Sequence, residues 1–293
     1  MSRPDPPPIR AHEDAALFRE ALRYTAAETG FVARLVERDY FCTVLLQHLT
    51  GEDASLVFKG GTCLAKVHSG FYRLSEDLDF AISTPAGSSR SARQARIEPL
   101  KRAIAATNGA LPSFRLRAAL TGANNSTQYC AIVQYVSLAT GEDEPIKVEI
   151  SLREPVMEPG NIGQAATMLI DPVTRDPMIP VLSVPCLSLT EAMAEKARAA
   201  LTRRDPAIRD FFDIDYAVRQ RGFDVAAPEL QVLLRRKLQV AGTGAADVSS
   251  SRLTALRLQA ESHLRPVLRP EDFGEFDVNR AFATVARLAA ALA

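Results

Sequence analysis

The chain has 293 residues, 47% of them hydrophobic and 24% charged, with Lys+Arg and Asp+Glu both 35 and a formal net charge of zero. That length accommodates two compact domains with cores of their own, and that balance excludes a global basic field for nucleic acid, so any such contact has to come from local patches. Cys42, Cys63, Cys130 and Cys186 stand far apart without a C-x-x-C pair, which argues against a zinc site and a disulfide framework and for reduced, mostly buried thiols in a cytosol.

In chain order, Met1-Ser2-Arg3-Pro4-Asp5-Pro6-Pro7-Pro8 has no apolar stretch for a signal peptide and reads as a mobile proline-rich arm. No later segment approaches the length of a membrane span, so the expected location is the cytoplasm. From Glu13 to about Leu49, the residues Ala16, Leu17, Leu22, Phe31, Leu35, Phe41, Val44, Leu45 and Leu49 recur at helical spacing around a break at Thr29-Gly30, which predicts two helices. Leu56-Val57-Phe58-Lys59 is an extended apolar segment that runs into Gly60-Gly61, and a helix is expected to open at Thr62. Asp77-Leu78-Asp79-Phe80-Ala81-Ile82 alternates like a half-buried strand.

A turn at 85–91 and an amphipathic helix over about 93–107 follow. Strands are then expected around 114–120, 128–138 and 145–152, the last two joined by a polar hairpin loop at 139–144. Pro155, Pro159, Pro172, Pro177, Pro180 and Pro185 predict a linker or irregular cover over 153–186. From Ser188 the pattern is helical to the end, apart from a Gly-Ala-rich loop at 241–246, and Phe211, Phe212 and Tyr216 are expected to pack this part.

The chemistry sits in the first half. A glycine turn that opens a helix presents backbone N–H groups, and here the Thr62 hydroxyl, to whatever lies over it, and a phosphate is a favoured guest. Asp77 and Asp79 point to one face of their strand, where two carboxylates can share a hard divalent ion. Lys147, Glu149 and Ser151 alternate with Ile146, Val148 and Ile150, so Glu149 supplies a third ligand if its strand lies beside theirs; a solvated strand residue is its plain alternative. Lys66 lies one helical turn after Thr62, either reaching a phosphate or facing solvent. His68, alone on that helix, reads as structural.

This order of elements resembles the nucleotidyltransferase superfamily built around the DNA polymerase β palm, whose signature is a Gly-Gly/Ser turn followed by Asp-x-Asp. Within it the sequence is most similar to the AbiEii/AbiGii toxins of bacterial toxin–antitoxin and phage-defence systems, the mycobacterial MenT toxins included. Gly60-Gly61-Thr62 through Asp77-x-Asp79 resembles the first family motif and Ile146-Lys147-Val148-Glu149-Ile150-Ser151 the second. Glu191-Ala192-Met193-Ala194-Glu195-Lys196 resembles the third and Arg209-Asp210-Phe211-Phe212-Asp213-Ile214 the fourth. Thr62 stands where many relatives carry Ser, which keeps the hydroxyl.

The resemblance implies an α/β (α+β) polymerase β-like domain with a mixed sheet over residues 1–186 and a helical domain over 187–293. It implies Mg²⁺-dependent transfer of a nucleoside monophosphate from an NTP to an RNA acceptor, tRNA favoured, by a toxin held by a separately encoded antitoxin and acting away from membranes. Asp77 and Asp79, with Glu149 as the further candidate, would hold the metal. Lys196 and Asp210 would join the two aspartates in catalysis, and Gly60, Gly61, Thr62, Lys66, Lys147 and Arg209 would bind the nucleotide. An ordinary charged helix face is the alternative for Lys196, and a structural ion pair for the group Arg209, Asp210 and Asp213. Arg203-Arg204 and Arg235-Arg236-Lys237 are the local basic groups for RNA. Small-molecule nucleotidylation and a catalytically silent binding domain are the competing functions.

Overall fold

Two helices, α1 (Ala15–Thr29) and α2 (Ala33–Glu52), precede the first strand. Asp14 caps α1 by accepting from the Leu17 N–H, and Gly30, at φ 75°, closes it in the left-handed conformation that glycine adopts freely. A computed structural model describes residues 8–292, and the arm expected over residues 1–8 lies outside them apart from Pro8. The chain divides into two units, Met1–Leu187 and Ser188–Ala293.

In the first unit the strands are β1 (Leu56–Lys59), β2 (Asp77–Ile82), β3 (Phe114–Ala123), β4 (Gln128–Val136) and β5 (Asp143–Ser151). Among the described residues they form a mixed five-stranded sheet of order β1-β2-β5-β4-β3. Only β2 and β5 run parallel; the other neighbours are antiparallel. Between β1 and β2 lies α3 (Gly60–Cys63), which continues as a π-helical turn over Leu64–Ser69. Helix α4 (Arg90–Ala110) links β2 to β3. The alternation read from the sequence is a real division of faces: Leu78, Phe80, Val148 and Ile150 are buried, and with Phe58, Ile97, Leu100, Tyr135 and the apolar residues of α2 they make one core. Asp77, Asp79, Lys147 and Glu149 occupy the other face.

The proline-rich stretch departs from its expectation. It carries an antiparallel ribbon of β6 (Ile162–Ala165) and β7 (Leu182–Pro185), and Ala165, Leu169, Leu182 and Val184 belong to the same core. Its prolines suit an edge ribbon, where a missing N–H leaves no central ladder position unpaired, so the segment is part of the domain rather than a linker.

Helix α2 is buried along most of its length, with Glu37, Arg38 and Asp39 included. Each of these charges is satisfied by a different distant segment. Glu37 accepts from Ser137 Oγ at 2.5 Å and from the Leu138 N–H at 2.7 Å, tying the β4–β5 hairpin. Arg38 pairs with Glu144 at 3.2 Å and with Glu76 at 3.3 Å, and donates to the Pro145 carbonyl. Asp39 accepts from Thr167 Oγ1 and the Met168 N–H, both at 3.0 Å, and from Lys66 at 2.6 Å.

The second unit is helical among its described residues: α5 (Leu189–Thr202), α6 (Ile208–Arg221), α7 (Pro228–Leu238), α8 (Ser250–Gln259), α9 (Pro270–Glu275) and α10 (Val278–Ala290). Ser188 caps α5 by accepting from the Glu191 N–H at 3.0 Å. Phe211 and Phe212 are fully buried, with Phe212 against Phe276 and Phe211 stacked on Phe282. No helix among the described residues is long and apolar enough to cross a membrane.

Candidate active site

The helix after β1 opens at Gly60, two residues before the expected Thr62. Gly60 has φ +76°, and a Cβ there would collide with the Asp79 carboxylate and lie 2.8 Å from the Asp79 Cβ. Only glycine meets both demands. A Cβ on Gly61 would lie 2.5 Å from Arg73 Nη2 and 3.1 Å from Ser75 Oγ. The turn is therefore wedged between an aspartate of β2 and the arginine and serine that lead into that strand.

The sheet register assembles the polar face. Asp79 stands opposite Glu149 and Asp77 opposite Lys147 across the β2–β5 pair, while Lys59 stands opposite Asp79 on the other side. Three carboxylates thus occupy adjacent positions on one face of two neighbouring strands. Glu149 bonds to Lys147 Nζ at 2.7 Å and accepts from Gln128 Nε2 at 2.7 Å. Burial pushes the Glu149 carboxyl up, but the Lys147 hydrogen bond and charge, the Gln128 amide and Lys59 outweigh it and hold it below its usual range. The same hydrogen bond, donated by Lys147 to Glu149, raises Lys147 against its own burial. The face carries three carboxylates with lysines beside them, a donor set that suits a hard divalent ion.

Two residues assigned to the nucleotide are placed differently. Lys66 is not on the open side of the turn: its side chain is 0% exposed, and Nζ bonds to Asp39 Oδ1 at 2.6 Å, Thr43 Oγ1 at 2.6 Å and the Asp39 carbonyl at 3.1 Å. A buried ammonium requires such partners, and α2 supplies them, so this lysine is structural. The Thr62 hydroxyl, also buried, donates to the Asp77 carbonyl and ties α3 to β2 instead of facing an anion.

The third and fourth motifs form a cluster within the helical unit. Lys196 Nζ on α5 lies 2.8 Å from Asp210 Oδ1 and 2.9 Å from Asp213 Oδ2 on α6, and Arg203 Nη1 lies 3.0 Å from Asp210 Oδ2. Arg209 donates from Nε to the His263 carbonyl at 3.0 Å. The basic groups expected to hold RNA are partly consumed in the fold. Lys237 is 1% exposed and pairs with Glu191 at 2.7 Å and Glu195 at 3.1 Å, and Arg235 donates to the carbonyls of Leu292 and Ala291. Arg204 and Arg236 are the exposed members that remain outside these contacts.

The sequence profile of the nucleotidyl transferase AbiEii toxin, a type IV toxin–antitoxin system, matches residues 44–287. The chain belongs to the AbiEii family. Its fold is similar to that of MenT4, a nucleotidyltransferase toxin from Mycobacterium tuberculosis H37Rv, at a TM-score of 0.54 and 19% identity over 94% of this chain and 98% of that one. JHP933 from Helicobacter pylori is a more distant likeness, with a TM-score of 0.46 and 16% identity over 93% of this chain and 91% of that one. None of the curated proteins matches the sequence. As an AbiEii toxin the chain has an NTP as its substrate class and an antitoxin as its partner.

Two residues at this candidate site, Arg73 and Gln128, escape a reading by motif. Arg73 is almost fully buried with its guanidinium against Gly61, yet its neighbours in sequence mark it only as a charge before a strand. Gln128 reaches Glu149 from β4. Its signal is weak but present: Gln128 alternates with the buried Tyr129, and hairpin pairing places it on the Glu149 side.

Proposed function

We propose that this AbiEii toxin is a cytoplasmic, Mg²⁺-dependent enzyme that transfers a nucleoside monophosphate from an NTP to an RNA, tRNA favoured, and so blocks growth until its antitoxin intervenes. The observation that carries the reading is the register that sets Asp79 beside Glu149 and Asp77 beside Lys147, next to a glycine turn packed on Asp79. Asp77, Asp79 and Glu149 would hold Mg²⁺, which would supply activation of the attacking hydroxyl and neutralisation of the departing pyrophosphate. The acceptor oxygen bonds to the α-phosphorus as the bond to pyrophosphate breaks.

The chain's own groups then have distinct tasks. Gly60 and Gly61 let the nucleotide-binding turn pack directly on Asp79 and Arg73, and Lys147 offsets the carboxylate charge so that three acids tolerate one another before metal arrives. Roles for Lys196 and Asp210 in catalysis, and for Arg209 toward the triphosphate, rest on motif order. RNA as acceptor rests on the family resemblance, with Arg204 and Arg236 as its exposed basic residues.

The test is incubation of the purified toxin with each labelled NTP, Mg²⁺ and total RNA, followed by gel analysis. Label from one preferred NTP should enter an RNA band of tRNA size, and should vanish with a chelator and with Asp79→Ala. Label that enters protein or a small molecule instead, with RNA untouched, would remove the RNA acceptor while keeping the transferase.

A further inference from the structure

Cys63 and His68, five residues apart, and the distant Cys186 each offer a ligand atom within 4.8 Å of the other two. Two features of the backbone bring them together. The helix after the glycine turn is π-helical over Leu64–Ser69, and in a π turn, with its i→i+5 bonding, residues five apart such as Cys63 and His68 return to one side. Cys186 follows β7, with its N–H donating to the Asn161 carbonyl at 3.0 Å. Gly163 leaves the room: a Cβ there would lie 2.6 Å from the Cys186 sulfur.

We infer that Cys63, His68 and Cys186 form a binding site for a borderline-soft divalent cation, with zinc the best chemical match. Sulfur and imidazole nitrogen are the ligands zinc selects, and three of them leave a fourth position of its tetrahedron for water. His68 Nε2 lies 3.0 Å from the Leu187 carbonyl. A carbonyl only accepts, so Nε2 donates there, and Nδ1 is the ring nitrogen a cation would take. This is the backbone anchor that commonly orients a metal-bound imidazole. Asn161 Nδ2 donates to Cys186 Sγ at 3.1 Å, a second outer contact of the same kind.

A cation takes thiolates, so its binding releases the thiol protons to solvent, and two thiolates on a divalent ion leave the buried site with no net charge. Cys63 directly follows Thr62, so the ion would pin the helix of the glycine turn to the end of the β6–β7 ribbon. Its sulfur and nitrogen side-chain ligands separate it from the carboxylate face, where Mg²⁺ would bind.

The test uses the full chain, reduced, stripped of metal and titrated with Co²⁺ in excess Mg²⁺. One equivalent should bind with thiolate-to-cobalt charge-transfer absorption, Zn²⁺ should displace it, and protons should be released. Cys186→Ser should lose that absorption. His68→Gln and Asn161→Ala, at half-buried positions, guard against a folding failure. Asn161→Ala should weaken binding about 10–100-fold, and His68→Gln at least as much. Absence of the absorption, full affinity in both guard variants, or protein that only loses two hydrogens to a Cys63–Cys186 disulfide and binds no Co²⁺ when reduced, would each overturn the site.

Discussion

At the scale of single residues, the glycine turn and the acidic strand make separable predictions. Asp79→Ala removes a carboxylate that repels its neighbours when no cation is bound, so thermal stability should hardly change. Transferase activity should fall at least about a hundredfold, since a bound metal contributes several kcal/mol of charge stabilisation; a folded variant that still arrests growth would refute the assignment. Gly60→Ala meets both a positive φ and the Asp79 side chain, so it should cost about 1–3 kcal/mol in denaturant unfolding and lower activity together with stability. Lys66→Ala leaves Asp39 buried without its cation and should cost about 3–5 kcal/mol. If the variant is instead stable and defective in NTP use, the lysine has the phosphate role its spacing suggested. The turn and Asp-x-Asp were legible because they are local: a few consecutive residues set both backbone and face. Lys66 was not, because its partners Asp39 and Thr43 lie on another helix and nothing in the spacing from Thr62 reveals them.

At the scale of elements, α2 shows what a periodicity reading leaves out. Its apolar positions announce a helix but say nothing of Glu37-Arg38-Asp39, all three of which are buried, each holding a different segment. Burial raises the Glu37 carboxyl above its usual value, and its hydrogen bonds from Ser137, Leu138 and Ala139 only partly oppose this. The folded protein therefore binds a proton there more readily than the unfolded chain. Its contribution to stability is greatest at acid pH and declines as pH rises through the folded value. Glu37→Gln lacks this slope, so its deficit relative to the parent should be larger near pH ~5 than near pH ~8 in paired urea titrations. A deficit that is flat across that range would show the carboxyl to be ionised throughout. The ribbon of β6 and β7 was hidden for a related reason. Prolines mark where a central strand cannot run, and they say little about a two-stranded edge whose other face joins the core.

At the scale of the whole molecule, the motif order pointed to the AbiEii family and to an α/β unit followed by a helical one, while the acceptor depends on surface charge that the fold has partly withdrawn. With Lys237 buried and Arg235 on backbone carbonyls, the paired reversal Arg204→Glu with Arg236→Glu is the sharper probe. It should reduce RNA labelling several-fold at ~0.15 M salt and more at low salt, while use of free NTP stays at the parent level. Equal labelling by the parent and the reversed protein would move the acceptor contact elsewhere. The parallel pairing of β2 with β5 has a last consequence, for the moment of synthesis. The strand that flanks the Asp-x-Asp pair and carries Glu149 leaves the ribosome some seventy residues after Asp79, and Thr167 and Met168, which secure Asp39, come later still. A nascent chain therefore holds Asp77 and Asp79 on a strand flanked by β1 alone, so the proposed metal face is complete only after β5 and the segment that secures Asp39 have been made.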